Sequence, residues 1–252
     1  MKRFISIMLV ICCLFSVCSL TACKKEAETD NVLTVGMTVY KPMNYKDADG
    51  NWTGFDTEFA QKVAEKLGME VEFVEIEWDS KWTLLSSGKI DCVWNGMTIS
   101  EEAKKNASVT DAYVLNAQVV VMKAENVDKY ADLAAMKDLE FAVEGGSTGH
   151  DIAKKNNLKV TECTDMSAAL LEVSTGKKAA CIIDITMANS MTGEGTDYAN
   201  LSYKVSLEEE EYGIAFPKDS EMTAKVNEIR KEMKEDGTLK QLAEKYGVTL
   251  AK

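Results

Sequence analysis

From residue 32 onward, short apolar runs alternate with segments in which apolar residues recur every three or four positions. The short runs have the length of buried strands and lie at 32–38, 70–76, 90–94, 118–122, 139–143, 158–161, 179–183 and 212–216. The periodic segments predict helices at 56–67, 80–87, 149–156, 166–174, 185–192, 222–233 and 239–246. Strands separated by helices of this length form right-handed βαβ units, so the sequence predicts an α/β protein with mostly parallel sheets. We expect Asp56 to cap the first helix and Gly68 to end it.

The first 22 residues have the pattern of an export signal, with two basic residues followed by the almost entirely apolar run 4–20. Leu20-Thr21-Ala22-Cys23 resembles the bacterial lipobox, which implies cleavage before Cys23 and attachment of lipid to its thiol. Residues 23–31 are charged and aperiodic, as expected of a tether. The sequence thus predicts a protein on the outer face of the cytoplasmic membrane, held there by its lipid alone. An uncleaved N-terminal anchor is the alternative.

The chain is acidic, with a formal net charge of −12. Such a charge argues against nucleic acid and anionic lipid surfaces as partners. It carries no information about a small ligand.

The cysteines do not indicate a metal site. Outside the signal and Cys23, only Cys92, Cys163 and Cys181 remain, each in or beside an apolar run, and His150 is the single histidine. The CxxC and Cys/His spacings of metal sites are missing from the sequence. We expect structural thiols, at most one disulfide, and neither a metal nor a cofactor.

Several short motifs follow one another in order between residues 33 and 248. They are Gly36 with Tyr40-Lys41-Pro42, Gly54-Phe55-Asp56, Trp78-Asp79, LLSSGKID at 84–91, NGMTIS at 95–100, VTDAY at 109–113, GGSTG at 145–149, Asp184, YGIAF at 212–216, DGTL at 236–239, and Tyr246-Gly247. In this order and spacing they resemble the polar amino-acid-binding family of bacterial transport receptors.

The resemblance implies a periplasmic-binding-protein type II fold, in which two α/β lobes are joined by two hinge crossings and close around a ligand. Lobe one would comprise residues 32–116 and 213–252, and lobe two residues 117–212. The implied function is that of a monomeric receptor that captures a small polar or cationic ligand and delivers it to the permease of an ABC transporter.

The resemblance also implies a ligand site. Tyr40 and Trp78 match the positions whose aromatic rings sandwich the ligand, and Asp184 matches the acid that binds its ammonium group. The remaining matched positions are Asn95, Gly96, Thr98, Ser147 and Thr148. Each has a structural alternative: core aromatics, a helix N-cap at Asp184, and ordinary polar loops between strands and helices. Unpaired amides of the Gly-rich turn 145–148 would favour an anionic group.

The family's arginine for the ligand's carboxylate would stand at Ala103, five residues after Thr98. Glu144, just before the Gly-rich turn, is a further candidate acid. An alanine at this position and acids elsewhere favour a ligand with net positive charge or without a free α-carboxylate. Lys104 and Lys105 are alternative cations on the same helix.

Two other functions fit the same scaffold. A small-molecule enzyme of the dehydratase type would require an acid/base pair in the cleft, for which Asp184, Glu144 and His150 are candidates. A sensory receptor without a transporter is the other alternative. Since the sequence shows no pair of nucleophile and base, a receptor that performs no chemistry is preferred.

Overall fold

A computed structural model of the chain describes residues 31–252, and Val32–Lys252 form one compact unit. The predicted signal 1–22, the lipidation site Cys23 and the tether up to residue 30 lie outside the described residues. Among residues 31–252, no helix combines the length and the apolar composition that a membrane span requires.

The strands of the described residues are β1 (Val32–Met37), β2 (Tyr45–Lys46), β3 (Trp52–Thr53), β4 (Glu70–Glu75), β5 (Cys92–Thr98), β6 (Ser108–Val109), β7 (Val114–Lys123), β8 (Glu140–Glu144), β9 (Lys159–Cys163), β10 (Ala180–Asp184) and β11 (Leu201–Phe216). The α-helices are α1 (Phe55–Leu67), α2 (Lys81–Ser86), α3 (Glu101–Asn106), α4 (Thr148–Lys155), α5 (Met166–Ser174), α6 (Ile185–Met191), α7 (Met222–Glu235) and α8 (Thr238–Tyr246). A short 3-10 turn at Trp78–Ser80 precedes α2.

The main sheet has the strand order β4-β1-β5-β11-β7-β10-β8-β9, with β6 paired to β11. Strand β1 pairs in parallel with β4 and β5, and β8 pairs in parallel with β9 and β10. Strands β7 and β11 run antiparallel to each other and join these two halves. The predicted α/β class with mostly parallel halves is confirmed. The predicted lobe boundaries, 116/117 and 212/213, fall inside β7 and β11.

Helix α1 corrects one expectation about its start. Its N-cap is Gly54, and Asp56 is the second residue of the helix with a buried side chain. Asp56 Oδ2 accepts hydrogen bonds from the backbone N–H of Gly96 at 2.7 Å and from the Tyr113 hydroxyl at 2.9 Å. The carboxylate therefore fixes the end of β5 and does not cap the helix. Gly68 ends α1 in the left-handed conformation, as expected.

The three cysteines of the described residues are free thiols. Cys92 and Cys181 are buried in central strands, whereas Cys163 is half-buried at the end of β9.

Candidate functional site

A cavity of about 260 Å³ lies where the ends of β5, β8 and β10 meet the turn 78–81. Seven of the predicted ligand-site residues line it: Trp78, Gly96, Thr98, Glu144, Ser147, Thr148 and Asp184. They come from segments more than 100 residues apart in sequence, and the sheet order brings them together. This placement follows the general rule that open α/β sheets bind ligands at the carboxyl ends of their strands.

Tyr40 and Asn95 are not brought to the cavity wall. Tyr40 is fully buried, and its hydroxyl lies 2.6 Å from that of Tyr212. Asn95 is buried and holds the chain after β1 through hydrogen bonds with the Thr38 backbone and the Asn44 side chain. Among the described residues, protein groups bond to the polar atoms of both side chains. This fits the alternatives given above, a core aromatic for Tyr40 and an ordinary polar loop residue for Asn95.

Gly96 serves the packing of two tyrosines. Its φ is +57°, and a Cβ there would lie 2.6 Å from Tyr40 Cε1 and 3.1 Å from Tyr212 Cε2. A side chain is therefore excluded both by conformation and by space. The close approach that glycine permits is to aromatic rings of the protein itself.

Asp184 and Glu210 form a buried carboxylate cluster with Gln118 and Tyr212. Tyr212 Oη donates to Asp184 Oδ2 at 2.5 Å. Gln118 Nε2 donates to both acids, to Asp184 Oδ1 and, at 2.8 Å, to Glu210 Oε1. The Asp184 side chain does not cap α6, which begins directly after it. The carboxylate cluster is fixed by neutral donors, and neither acid takes part in an ion pair within the described residues.

Burial controls the protonation of the cluster. It raises the pKa of Asp184 above the ordinary value of 3.8, although the hydrogen bonds from Tyr212 and Gln118 oppose the shift. It also raises the pKa of Glu210 to about 7, with a further contribution from the negative charge of Asp184. Two neighbouring acids without a cation favour the protonated state of at least one of them.

Thr98 and Thr148 link this cluster to the Gly-rich turn. Thr148 Oγ1 donates to Thr98 Oγ1 at 3.0 Å, and Thr98 Oγ1 donates to Glu210 Oε2 at 2.9 Å. A chain of hydroxyls thus runs along the cavity wall from α4 to β11.

Glu144 ends β8 at the cavity wall and is only 3% exposed. Its Oε1 atom has no hydrogen-bond partner among the described residues. Burial raises its pKa from 4.5 to about 8, and the negative charge of Asp184 adds to the shift. A buried carboxyl oxygen without a partner is uncommon in folded proteins and is typical of functional sites.

Lys81 was not predicted as a site residue, yet it is buried in the same cavity, with 5% exposure. Its Nζ donates to the backbone oxygens of Trp78 at 3.2 Å and Gly146 at 3.0 Å. The ammonium also lies 4.8 Å from the centroid of the Trp78 ring. A cation of the protein itself therefore already lies over the Trp78 ring.

The Gly-rich turn differs from the expectation of free amides. Gly145 N–H donates to Cys163 O, Gly146 N–H to His150 Nδ1 and Ser147 N–H to Glu144 O. Ser147 caps α4 by accepting a hydrogen bond from the His150 amide. Three of the four amides of the turn 145–148 are therefore already bonded, and the expectation of an anion-binding amide remains for Thr148, the first residue of α4.

Ala103 is fully buried and belongs to an apolar cluster with Trp78, Leu85 and Ile90. Lys104 is exposed and pairs with Glu101 at 3.0 Å, and Lys105 is exposed as well. Neither lysine lines the cavity. The cations that do line it are Lys81 and Lys155.

A family model described as bacterial extracellular solute-binding proteins, family 3, matches residues 33–249. The chain belongs to this family. The arginine-binding extracellular protein ArtP of Bacillus subtilis is 30% identical over 98% of both chains. The L-cystine-binding protein TcyA of the same organism is 32% identical over 85% of this chain and 81% of TcyA.

Solved structures agree with this assignment. An ancestral amino acid-binding protein, AncCDT-1, described as a precursor of cyclohexadienyl dehydratase, has 34% sequence identity and a TM-score of 0.78. That likeness covers 86% of this chain and 95% of the ancestral one. The protein is therefore an extracytoplasmic solute-binding protein with the type II periplasmic fold, from the family that binds amino acids for ABC importers. The named relatives are binding proteins and not enzymes.

Proposed function

We propose that this solute-binding protein captures a small amine-bearing solute, an amino acid or a related amine, and performs no chemistry on it. The observation that carries the proposal is the Glu144 carboxyl group, which is buried at the cavity wall with Oε1 unpartnered among the described residues. An ammonium group would supply the missing donor and the missing positive charge in one contact.

Two further acids, Asp184 in the cavity wall and Glu210 behind it, support the same ligand. Asp184 is 6% exposed at the cavity wall, and Glu210 lies beside it through Gln118. Since burial raises the pKa of all three carboxyl groups, an incoming cation would favour their ionised forms. Binding would then release protons near neutral pH.

The size of the cavity limits the solute. At about 260 Å³ it is smaller than the ~300–1,000 Å³ pockets that enclose drug-sized ligands. A single amino acid or a short amine is the matching class. Closure of the proposed lobes, 32–116 with 213–252 and 117–212, would bury such a solute between Thr98 on one side and Ser147 on the other.

We further propose that the chain is lipidated at Cys23 and acts with the permease of an ABC importer at the outer face of the cytoplasmic membrane. The motif at 20–23 supports the anchor, and the family supports the transporter. A Cys23→Ser variant should be recovered from the culture medium, whereas the unchanged chain should be recovered with membranes.

Ligand binding is tested by calorimetric titration of residues 24–252, which contain the whole compact unit. The panel comprises the standard amino acids, cystine, and amines such as agmatine and putrescine. Glu144→Gln should weaken binding of the best ligand by roughly 10- to 100-fold, because a charge-assisted hydrogen bond contributes ~1.5–3 kcal/mol. Glu140→Gln is the matched control, since Glu140 is exposed at the other end of β8 and pairs with Lys178. Failure of every amine-bearing compound to bind would overturn the proposal, and so would undiminished binding by Glu144→Gln.

A further inference from the structure

Lys81 is the most unusual cation in the described part of the molecule. It is the first residue of α2, it is 5% exposed, and it takes part in no ion pair among the described residues. Buried lysines are rare unless they are paired with an acid. Its position in the cavity wall places this charge next to any ligand that enters.

The contacts of Lys81 hold the ammonium without neutralising it. Two of its three N–H groups are used by the backbone oxygens of Trp78 and Gly146. The indole rings of Trp78 and Trp82 lie 4.8 Å and 5.2 Å from Nζ. Burial lowers the pKa of Lys81, while the charges of Glu102 and Glu144 oppose that shift. One N–H and a full positive charge remain for an external partner.

Three amides of the Gly-rich turn and the other lysine of the cavity wall are poorer receptors for an anion than Lys81. The amides of Gly145, Gly146 and Ser147 are bonded within the protein. The side chain of Lys155, the other lysine of the cavity wall, is 75% exposed and pairs with Glu208 at 3.4 Å. Solvent therefore screens Lys155, whereas Lys81 acts from a site with little water.

We propose that Lys81 binds the carboxylate of the ligand and thereby makes the site selective for amino acids over plain amines. This inference rests on the proposed function, because it requires the ammonium end of the same ligand to lie at Glu144 and Asp184. The cavity then carries one fixed positive group and several acidic ones, which matches the charges of a zwitterion. The ligand would then keep its free carboxylate although Ala103 stands at the position of the family's arginine. Lys81 would bind this carboxylate in place of the arginine.

The experiment compares each amino acid of the panel with its decarboxylated counterpart and its carboxamide. Arginine is compared with agmatine and argininamide, and histidine with histamine and histidinamide. Calorimetric titrations at pH 8 use the chain 24–252, its Lys81→Met and Lys81→Arg variants, and Lys105→Met as an exposed control outside the cavity wall. The quantity of interest is the ratio of affinities between the acid and its uncharged analogues.

The unchanged chain should bind the best amino acid at least ~10-fold more tightly than its amine or amide. Lys81→Met should remove most of that preference: amino-acid affinity should be lower by roughly 10- to 100-fold, and amine affinity should not fall, because a buried positive charge no longer repels the amine. Lys81→Arg should keep a preference for the acid because it keeps a cation, and Lys105→Met should keep all of it.

Three results would overturn the inference. If the unchanged chain binds an amine or amide as tightly as its acid, Lys81 recognises no carboxylate, although the proposed function stands. If Lys81→Met weakens acid and amine equally, the lysine has only a structural role. If no amine-bearing compound binds the unchanged chain, the proposed function fails and this inference fails with it. Should Lys81→Met not fold, Lys81→Gln takes its place in the same comparison, since it keeps a hydrogen-bond donor and removes the charge.

Discussion

The acids and the lysine of the cavity are held by two different kinds of structure. Asp184, Gln118 and Glu210 stand on β10, β7 and β11, which are hydrogen-bonded neighbours in one sheet. In the ladder, Asp184 lies opposite Gln118 and Glu210 opposite Asn116. Lys81, in contrast, reaches from α2 to the Gly146 carbonyl, 65 residues further along the chain, across a contact that no strand pairing fixes.

The difference separates a preformed part of the site from an assembled one. The carboxylate cluster is fixed by paired strands and by neutral side-chain donors, so it persists whatever the turn 78–81 does. The position of Lys81 depends on how closely that turn approaches the Gly-rich turn, where a Cβ on Gly146 would lie 2.9 Å from Asp79 Cα. The proposed ligand site thus combines carboxylates that paired strands fix with a lysine that a contact between two turns fixes.

The largest expected effect is a pH dependence of stability with opposite sign at Glu144 and Lys81. The pKa of buried Glu144 is raised to about 8, so the folded chain binds a proton that the unfolded chain releases above ~4.5. Stability from this group is fully present below pH ~4.5 and is lost as the pH rises through 8, by at most roughly 5 kcal/mol. The pKa of Lys81 is lowered, so its contribution is lost as the pH falls through the folded-state pKa.

Urea unfolding of the ligand-free chain from pH 5 to 10 measures both contributions. Glu144→Gln should be more stable than the unchanged chain at pH 8.5, and the gain should shrink towards pH 5. Lys81→Met should keep the loss of stability that Glu144 causes as the pH rises towards 8. It should flatten only the alkaline part of the curve of unfolding free energy against pH. If the free energies of unfolding of Glu144→Gln and of the unchanged chain differed by the same amount at every pH, Glu144 would not be a buried, protonated group.

Of the carboxylate cluster, the strand pattern and the motif order pointed to Asp184 alone. Asp184 and Thr98 stand at the ends of apolar runs, and the order of βα units places such ends together. Glu210 was missed because it lies in the acidic run 208–211, where the predicted strand began only at Tyr212. The alternation of Leu201, Tyr203, Val205 and Leu207 is a strand signal that extends β11 backwards. The side on which Glu210 faces nevertheless depends on a register shift between Ser206 and Glu209 that the sequence does not encode visibly.

The assembled part was harder to predict. A lysine at the start of a short helix is ordinarily solvent-exposed, and Lys81 is buried only because a turn distant in sequence supplies a carbonyl group. Tyr40 and Asn95 illustrate the converse, since residue types suited to ligand contact are used here for packing and for fixing a loop. Local sequence shows which groups are available, but their partners come from tertiary contacts.

Introducing the absent arginine should have the next largest effect and tests whether position 103 opens to the cavity. Ala103 packs in an apolar cluster with Trp78 and Leu85. Ala103→Arg would overpack this cluster and bury a charge, and should lower the free energy of unfolding by roughly 3 kcal/mol. The same substitution at the exposed Ala131 is the control and should change stability by less than ~0.5 kcal/mol. An Ala103→Arg variant of unchanged stability with tighter amino-acid binding would show that the position faces the ligand.

The smallest expected effect concerns the preformed part alone. Tyr212→Phe removes the hydroxyl that donates to Asp184 Oδ2, so the pKa of Asp184 should rise further and stability should fall by about 1 kcal/mol. Tyr203→Phe is the matched control on the same strand, since its hydroxyl bonds to Asn189 near the surface. Ligand affinity of Tyr212→Phe should be reduced at pH 6 and recover towards pH 9, because alkaline pH ionises Asp184 without the hydroxyl's help. If Tyr212→Phe affected stability no more than Tyr203→Phe, the hydroxyl would not be what holds the carboxylate, and the cluster would depend on Gln118 for its geometry.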